Sequence, residues 1–225
     1  RRGSIDPDHV TFSNFLTHSR YNREKVAVIG LMMAQQLCGI NAITFYGVRI
    51  LAKIVPKGPN VLVITCSISL CNVLFALGAS PCVDRLGRKP LLISSALIMG
   101  VSAFLIATGF VINSDYLTGG ACFGFVLGYS IGLAQIPFLM ISEIASHDTL
   151  GAAQSMGGAV NWICSISIAF FFPILNDIVG GYIFYGFSVI CALFVVFVIC
   201  FIPETKDHLS PQEVWLSFEE EQYMA

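Results

Sequence analysis

Residues 26–48 read VAVIGLMMAQQLCGINAITFYGV, a run without a single formal charge. A bilayer's hydrocarbon core is about 30 Å thick and takes roughly 20 apolar helical residues to cross, so this run is long enough to span it. It nevertheless carries Gln35, Gln36 and Asn41, three amide side chains close together in an otherwise greasy helix. Burying an amide without a partner costs about 2–7 kcal/mol. Those three groups therefore need partners, either on neighbouring helices or on a bound guest.

The rest of the chain matches the opening run. Of its 225 residues 56% are hydrophobic and only 12% charged, with a mean hydropathy of +0.77. Soluble domains carry about 25% charge, so the composition points to an integral membrane protein. A net charge of −2 gives no footprint for nucleic acid. Six uncharged stretches are long enough to span: 26–48, 61–83, 91–112, 116–142, 149–176 and 178–202. Turn-forming joints such as PKGPN (56–60) and NDIVGG (176–181) separate them. Runs of this length exclude a β-barrel, whose strands are about ten residues long. The expected fold class is an all-α membrane protein with six transmembrane helices.

Lys and Arg set the orientation. Arg1, Arg2, Arg20, Arg23, Lys25, Arg85, Arg88, Lys89 and Lys206 fall on one side of the six spans, and Arg49, Lys53 and Lys57 on the other. The side with nine is cytosolic, which places both ends of the segment there. Residues 1–24 read as the end of a cytosolic linker, 25–203 as the six-helix bundle and 204–225 as a cytosolic tail. The tail's acidic, amphipathic end, Val214 to Met224, reads as solvated, with a docking helix as the alternative. Plasma and organelle membranes fit equally well.

The chemistry open to the chain is narrow. Its eight cysteines lie in or beside apolar runs and read as small buried hydrophobes rather than a disulfide framework. Four scattered histidines show no metal-ligand spacing. No nucleophile–histidine pairing, intramembrane carboxylate pair or phosphate-binding glycine loop is present. An enzyme, a metal site and a bound cofactor are all unexpected. No Asp or Glu lies near the middle of a span, so the segment offers no cation-coupling site of its own.

Uncharged hydrogen-bonding groups remain. Gln35, Gln36 and Asn41 are joined by Asn72 on the second span, Gln135 on the fourth, and Asn161 with Trp162 on the fifth. Such residues can simply join helices, at about 0.6 kcal/mol each. Three of them beside Gly39, which permits local unwinding, favour a site. An amide supplies two donors and an acceptor, which suits a neutral hydroxylated guest such as a sugar. Phe45, Tyr46, Phe138 and Trp162 could cover the apolar face of its ring.

Several short motifs occur in order along the chain: QQLCGIN with FYG following (35–47), DRLGRK (84–89), IPF and SEI (136–144), NW (161–162) and PETK (203–206). In order and spacing they resemble the sugar porter family of the major facilitator superfamily, and the chain is similar to the C-terminal six helices of that twelve-helix fold. The resemblance implies a monosaccharide carrier, facilitator or proton symporter, completed by an N-terminal six-helix half. It implies that Gln35, Gln36, Asn41 and Asn72 bind sugar hydroxyls, with Phe138 and Trp162 beside the sugar. It also implies a cytosolic ion-pair network of Asp84, Arg85, Arg88, Glu143 and Glu204, with both glutamates meeting arginines.

Three departures stand out. Ser130 occupies the position where hexose facilitators often carry a glutamate, Leu150 that of a loop arginine, and Asp207 that of a glycine. They motivate an alternative: a transport-silent sugar sensor or membrane-assembly partner of the same family.

Overall fold

A computed structural model describes residues 11–44, 61–206 and 210–224. Among them every regular element is helical. In chain order they are α1 (Phe12–Thr17), α2 (Asn22–Leu37), α3 (Val61–Leu86), α4 (Arg88–Val111), α5 (Asp115–Ile131), α6 (Ile136–Ile144), α7 (Leu150–Val179), α8 (Ile183–Phe201) and α9 (Pro211–Met224). The runs Ser19–Thr44, Arg88–Val111, Asp115–Ile144 and Leu150–Phe201 are each long and apolar enough to cross a bilayer. The last has 52 residues, about 78 Å of helix at 1.5 Å per residue. A 3-10 turn at Gly180–Tyr182 divides it into α7 and α8, two rods of spanning length. Together with the 26-residue α3, the bundle has six rods.

Two rods are interrupted, and each break has a local cause. After Leu37 the first rod turns at Cys38 and Gly39 before a helical turn resumes at 40–44. Gly39 sits at φ +104°, and a Cβ placed there would meet the Phe187 ring at 2.8 Å. Only glycine reaches that backbone without strain. The fourth stretch, expected as a single span over 116–142, is instead split into α5 and α6 at Gly132–Gln135. Pro137, in the first turn of α6, has no N–H to continue the ladder from α5 and suits a helix start rather than an interior.

The core forms where these rods meet. α4 packs between α5 and α8, α2 lies along α7, α3 along α5, and the short α6 wedges against α2 and α7. Leu31, Met32, Leu92, Met99, Ile106, Phe125, Leu133, Ile136, Met140 and Phe184 are completely buried among them. Apolar side chains also line outer faces: Leu97, Val101 and Phe104 on α4, and Val189, Leu193, Val196 and Ile199 on α8. In water such faces would be a liability, and in a bilayer they are the solvent contact.

Two expectations need correction. The free cysteines are not uniformly buried: Cys38, Cys122, Cys164 and Cys191 are, while Cys66 and Cys200 lie exposed on their helices. An apolar outer surface accepts a thiol as readily as the interior does. Nor is the C-terminal end merely solvated. Val214 and Phe218 of α9 are buried, and the Trp215 indole N–H donates to the Ile144 carbonyl at 3.1 Å. That carbonyl is one of those left open where α6 ends. Lys89 Nζ lies 5.3 Å from the centre of the Phe218 ring, and Arg23 pairs with Glu219.

The two glycine environments give a stability test. Gly39→Ala is expected to destabilise the protein by about 1–3 kcal/mol through its backbone alone, with further loss from the Phe187 clash. Gly158→Ala, where an added Cβ meets nothing within 4 Å, should be neutral. Thermal unfolding of both variants in detergent checks this, and equal midpoints would contradict the assigned break.

Candidate functional site

The break between α5 and α6 organises the centre of the bundle. In a continuous helix the Leu133 carbonyl would receive the N–H of residue 137, but that residue is proline and has none. Gln35 supplies the substitute: its Nε2 donates to Leu133 O at 2.9 Å and to Ala134 O at 3.2 Å. The Leu133 N–H donates to Ser95 Oγ at 3.1 Å, and the Ser95 hydroxyl donates to Gly128 O at 2.6 Å. Side chains of α2 and α4 thus replace the hydrogen bonds that the broken helix lacks.

From Gln35 a chain of amides runs across to α7. Asn161 Nδ2 donates to Gln35 Oε1 at 2.5 Å and lies 3.7 Å from Met32 Sδ. Gln36 Nε2 donates to Asn161 Oδ1 at 3.0 Å. Asn41 Nδ2, past the break in the first rod, donates to Gln36 Oε1 at 2.6 Å and to Ser165 Oγ at 2.9 Å. Gln35, Gln36 and Asn161 are all buried, and Asn41 is partly exposed.

Counting donors and acceptors shows what is left for a guest. Both N–H bonds of Gln35 and both of Asn161 are committed. Gln36 keeps one N–H. Asn41 Oδ1 accepts no hydrogen bond among the described residues. The uncommitted donor and acceptor therefore sit together, on Gln36 and Asn41, beside the Gly39 turn.

The other expected site residues are dispersed. Asn72 pairs with α5, where the Ser130 hydroxyl donates to its Oδ1 at 2.9 Å. Phe138 and Trp162 are 50% and 69% exposed, and neither hydrogen-bonds into the amide chain. Phe45 and Tyr46 lie outside the described residues. Gln135 reaches α3 instead, its Nε2 donating to Ala76 O at 3.4 Å.

At the end of the bundle bearing most of the positive charge, three helix termini are tied together. Arg88, opening α4, donates through Nε and Nη2 to Glu143 Oε1 on α6 at 3.1 and 2.8 Å. The two side chains are 14% and 22% exposed, so water screens this pair less than an open surface pair. Glu143 Oε2 accepts from the Thr205 hydroxyl beyond α8. Glu204 does something different from meeting an arginine side chain. Its carboxylate accepts from the backbone N–H groups of Arg88 and Lys89 at 2.9 and 3.0 Å, capping α4 where the helix dipole favours an anion. The Arg85 side chain is exposed, and its carbonyl accepts from Lys206 Nζ at 2.9 Å. The Asp84 side chain lies outside the described residues. In place of an arginine after SEI, Thr149, next to Leu150, donates its hydroxyl to Glu24 Oε2 at 2.9 Å.

Several of these partners escaped the sequence analysis. Ser165 carried a usable signal, since it lies four residues after Asn161 and so on the same face of α7. Pro137 carried another, because it marks Leu133 as an open carbonyl. Ser95 and Thr205 carried none, being recruited only by contact across helices.

Comparisons with known proteins agree with this architecture. The family model described as "Sugar (and other) transporter" matches residues 3–210. A probable metabolite transport protein of Saccharomyces cerevisiae is 35% identical over 208 residues, which cover 92% of this chain and 42% of that protein. The facilitated trehalose transporter Tret1 of Drosophila willistoni is 32% identical over 91% of this chain and 25% of its own length. Among solved structures, an inward-open xylose transporter XylE from E. coli superposes with a TM-score of 0.75, at 24% identity, over 91% of this chain and 44% of that one. A double-tryptophan variant of XylE gives 0.78 at 24% identity, over 85% and 42%. The chain thus spans less than half the length of these relatives, all of which are named as transporters rather than enzymes. With its whole bundle inside the matched region, the chain belongs to the sugar (and other) transporter family, and its fold is a six-helix half of a major facilitator.

Proposed function

We propose that the chain forms the C-terminal half of a carrier that moves a hexose-like monosaccharide across the bilayer by alternating access, as a facilitator or a proton symporter. The observation that carries this reading is the pair of uncommitted groups, Gln36 N–H and Asn41 Oδ1, held beside a break in the first rod. Together they offer one donor and one acceptor, the complement of a sugar hydroxyl, and no charge. Discontinuous helices in transporters place binding groups in this way, where irregular backbone faces a cavity. The relatives' names, with metabolite and trehalose transport among them, point in the same direction.

In this reading Gln36, Asn41 and Asn72 contact the sugar. Gln35 retains only a lone pair on Oε1 for direct contact, and its larger part is to brace α6 through Leu133 and Ala134. Phe138 and Trp162 line the approach from their exposed positions. An N-terminal six-helix half supplies the opposing wall, and both ends of this segment face the cytosol. The Arg88–Glu143–Thr205 cluster then clamps helix ends at the cytosolic side. Contacts present in only one of two states bias the equilibrium between them.

Two measurements test the reading in the intact carrier reconstituted into vesicles. Gln36→Ala should lower uptake of labelled hexose by about tenfold or more, because a polar site rejects a ligand whose partner is missing. The variant should still fold, with a thermal midpoint lowered by the loss of the Asn161 and Asn41 partners, and unchanged uptake would remove Gln36 from the site. Arg88→Glu and Glu143→Arg should each slow uptake while changing hexose affinity less than threefold, and the double exchange should recover part of the rate. Loss of affinity matching the loss of rate would contradict a clamp acting on the conformational equilibrium.

A further inference from the structure

We infer that Gln135 is a further substrate-contact residue, a specificity determinant that links Asn72 to the Gln36–Asn41 end of the site and bonds one hydroxyl of the hexose. The inference rests on the carrier reading above and adds a contact to it.

Gln135 stands nine residues before Ile144, the end of the 30-residue spanning run Asp115–Ile144. That is about 14 Å of helix at 1.5 Å per residue, close to the middle of a hydrocarbon layer about 30 Å thick. Its side chain is nevertheless exposed. Lipid at that depth would leave the donors and the acceptor of an amide unmatched. The neighbouring surface of α6 shows which medium it meets. Phe138 and Ser142, three and seven residues on, are exposed on the same side. The exposed residues Leu97, Val101 and Phe104 of α4 are all apolar, as a lipid-facing stripe should be, whereas the stripe on α6 carries an amide and a hydroxyl. The α6 stripe therefore faces the water-filled side of the bundle.

On that side Gln135 occupies the gap between the dispersed polar residues. The two residues before it, Leu133 and Ala134, are held through their carbonyls by Gln35 of α2. In the other direction its amide reaches Ala76 of α3, one helical turn from Asn72. The Ala76 contact is 3.4 Å long, beyond the roughly 2.7–3.2 Å of a well-formed bond. That carbonyl is also the ordinary helical acceptor of the N–H of residue 80 within α3. Gln135 Oε1 accepts no hydrogen bond among the described residues. Neither end of the amide is firmly committed, so its availability to a guest does not depend on which way it is turned. An amide on a long, flexible stem can meet a hydroxyl that donates or one that accepts. Gln135 therefore selects for the presence of a hydroxyl at one ring position and not for its polarity.

Monodeoxy derivatives of the best-bound sugar among D-glucose, D-galactose and D-fructose test the contact, in competition against labelled hexose uptake by the intact carrier. Gln135→Ala and Gln135→Leu should each weaken the parent sugar by about tenfold. Their thermal midpoints should stay unchanged, because the side chain is exposed and loosely held. One deoxy sugar, lacking the hydroxyl that Gln135 meets, should bind the unaltered carrier about tenfold more weakly than the parent and lose nothing further in either variant. The other deoxy sugars should suffer the full loss on substitution. A merely structural role would weaken the parent and every deoxy sugar alike. That equal loss, or a parent affinity unchanged in either variant, would overturn the inference alone. Failure of the unaltered carrier to bind any of the three hexoses would overturn it together with the carrier reading.

Discussion

The proline at position 137 leaves a carbonyl without its helical N–H partner inside an apolar run, and hydrocarbon has nothing to offer in exchange. An unsatisfied backbone group there costs several kcal/mol. Gln35 meets that demand from a different rod, 98 residues back in the sequence. Once its amide nitrogen is committed to Leu133 and Ala134, its oxygen orients Asn161, Asn161 orients Gln36, and Gln36 orients Asn41. Each amide in the series has one sensible orientation because its neighbour has one. A break in one helix thereby fixes which polar atoms are left open on another.

That dependence gives the site its character. Isolated amides in a membrane helix can rotate and find whatever partner is near, which is why their average contribution is small. A directional chain is preorganised, so a guest does not have to order the side chains it binds. The same economy of charge holds throughout the centre of the bundle. Carboxylates are confined to the ends, where Glu143 and Glu204 bind Arg88 through its side chain and its backbone respectively. The polar interior is left electrically neutral, which is what the proposed sugar cargo would require. The docked α9 extends this cluster of tied helix ends outward, since Trp215 takes the Ile144 carbonyl only one residue beyond Glu143.

Much of this was legible in the linear sequence, and the exceptions have definite physical origins. Apolar run length alone revealed the six rods, because the bilayer imposes a minimum length that few other folds share. Gly39 announced the first break, since an amide-rich helix with a glycine between its polar residues can unwind there. The second break was missed because hydropathy does not register backbone hydrogen bonds: 116–142 is uniformly apolar whether or not the helix is continuous. Gln35 and Gln36 are adjacent and identical in type, and nothing local distinguishes the brace from the residue that keeps a free N–H. The distinction comes from their roughly 100° angular offset on α2: both meet Asn161 of α7, but only Gln35 also reaches the carbonyls in the break between α5 and α6. The amphipathic end of the tail allowed a docking helix, but its receiving surface was hidden, because it is assembled from Ile144, Lys89 and Arg23 on three separate elements.

The central claim is that one amide holds the broken helix while its neighbours hold the guest. The most direct measurement is an experimental structure of the intact carrier with a hexose bound, at a resolution that separates amide side-chain contacts. The account predicts a sugar hydroxyl within hydrogen-bonding distance of Asn41 Oδ1 and Gln36 Nε2, with Gln35 Nε2 still on the Leu133 and Ala134 carbonyls. A dry interior in which Asn41 Oδ1 is satisfied by a neighbouring helix and the sugar lies elsewhere would contradict it.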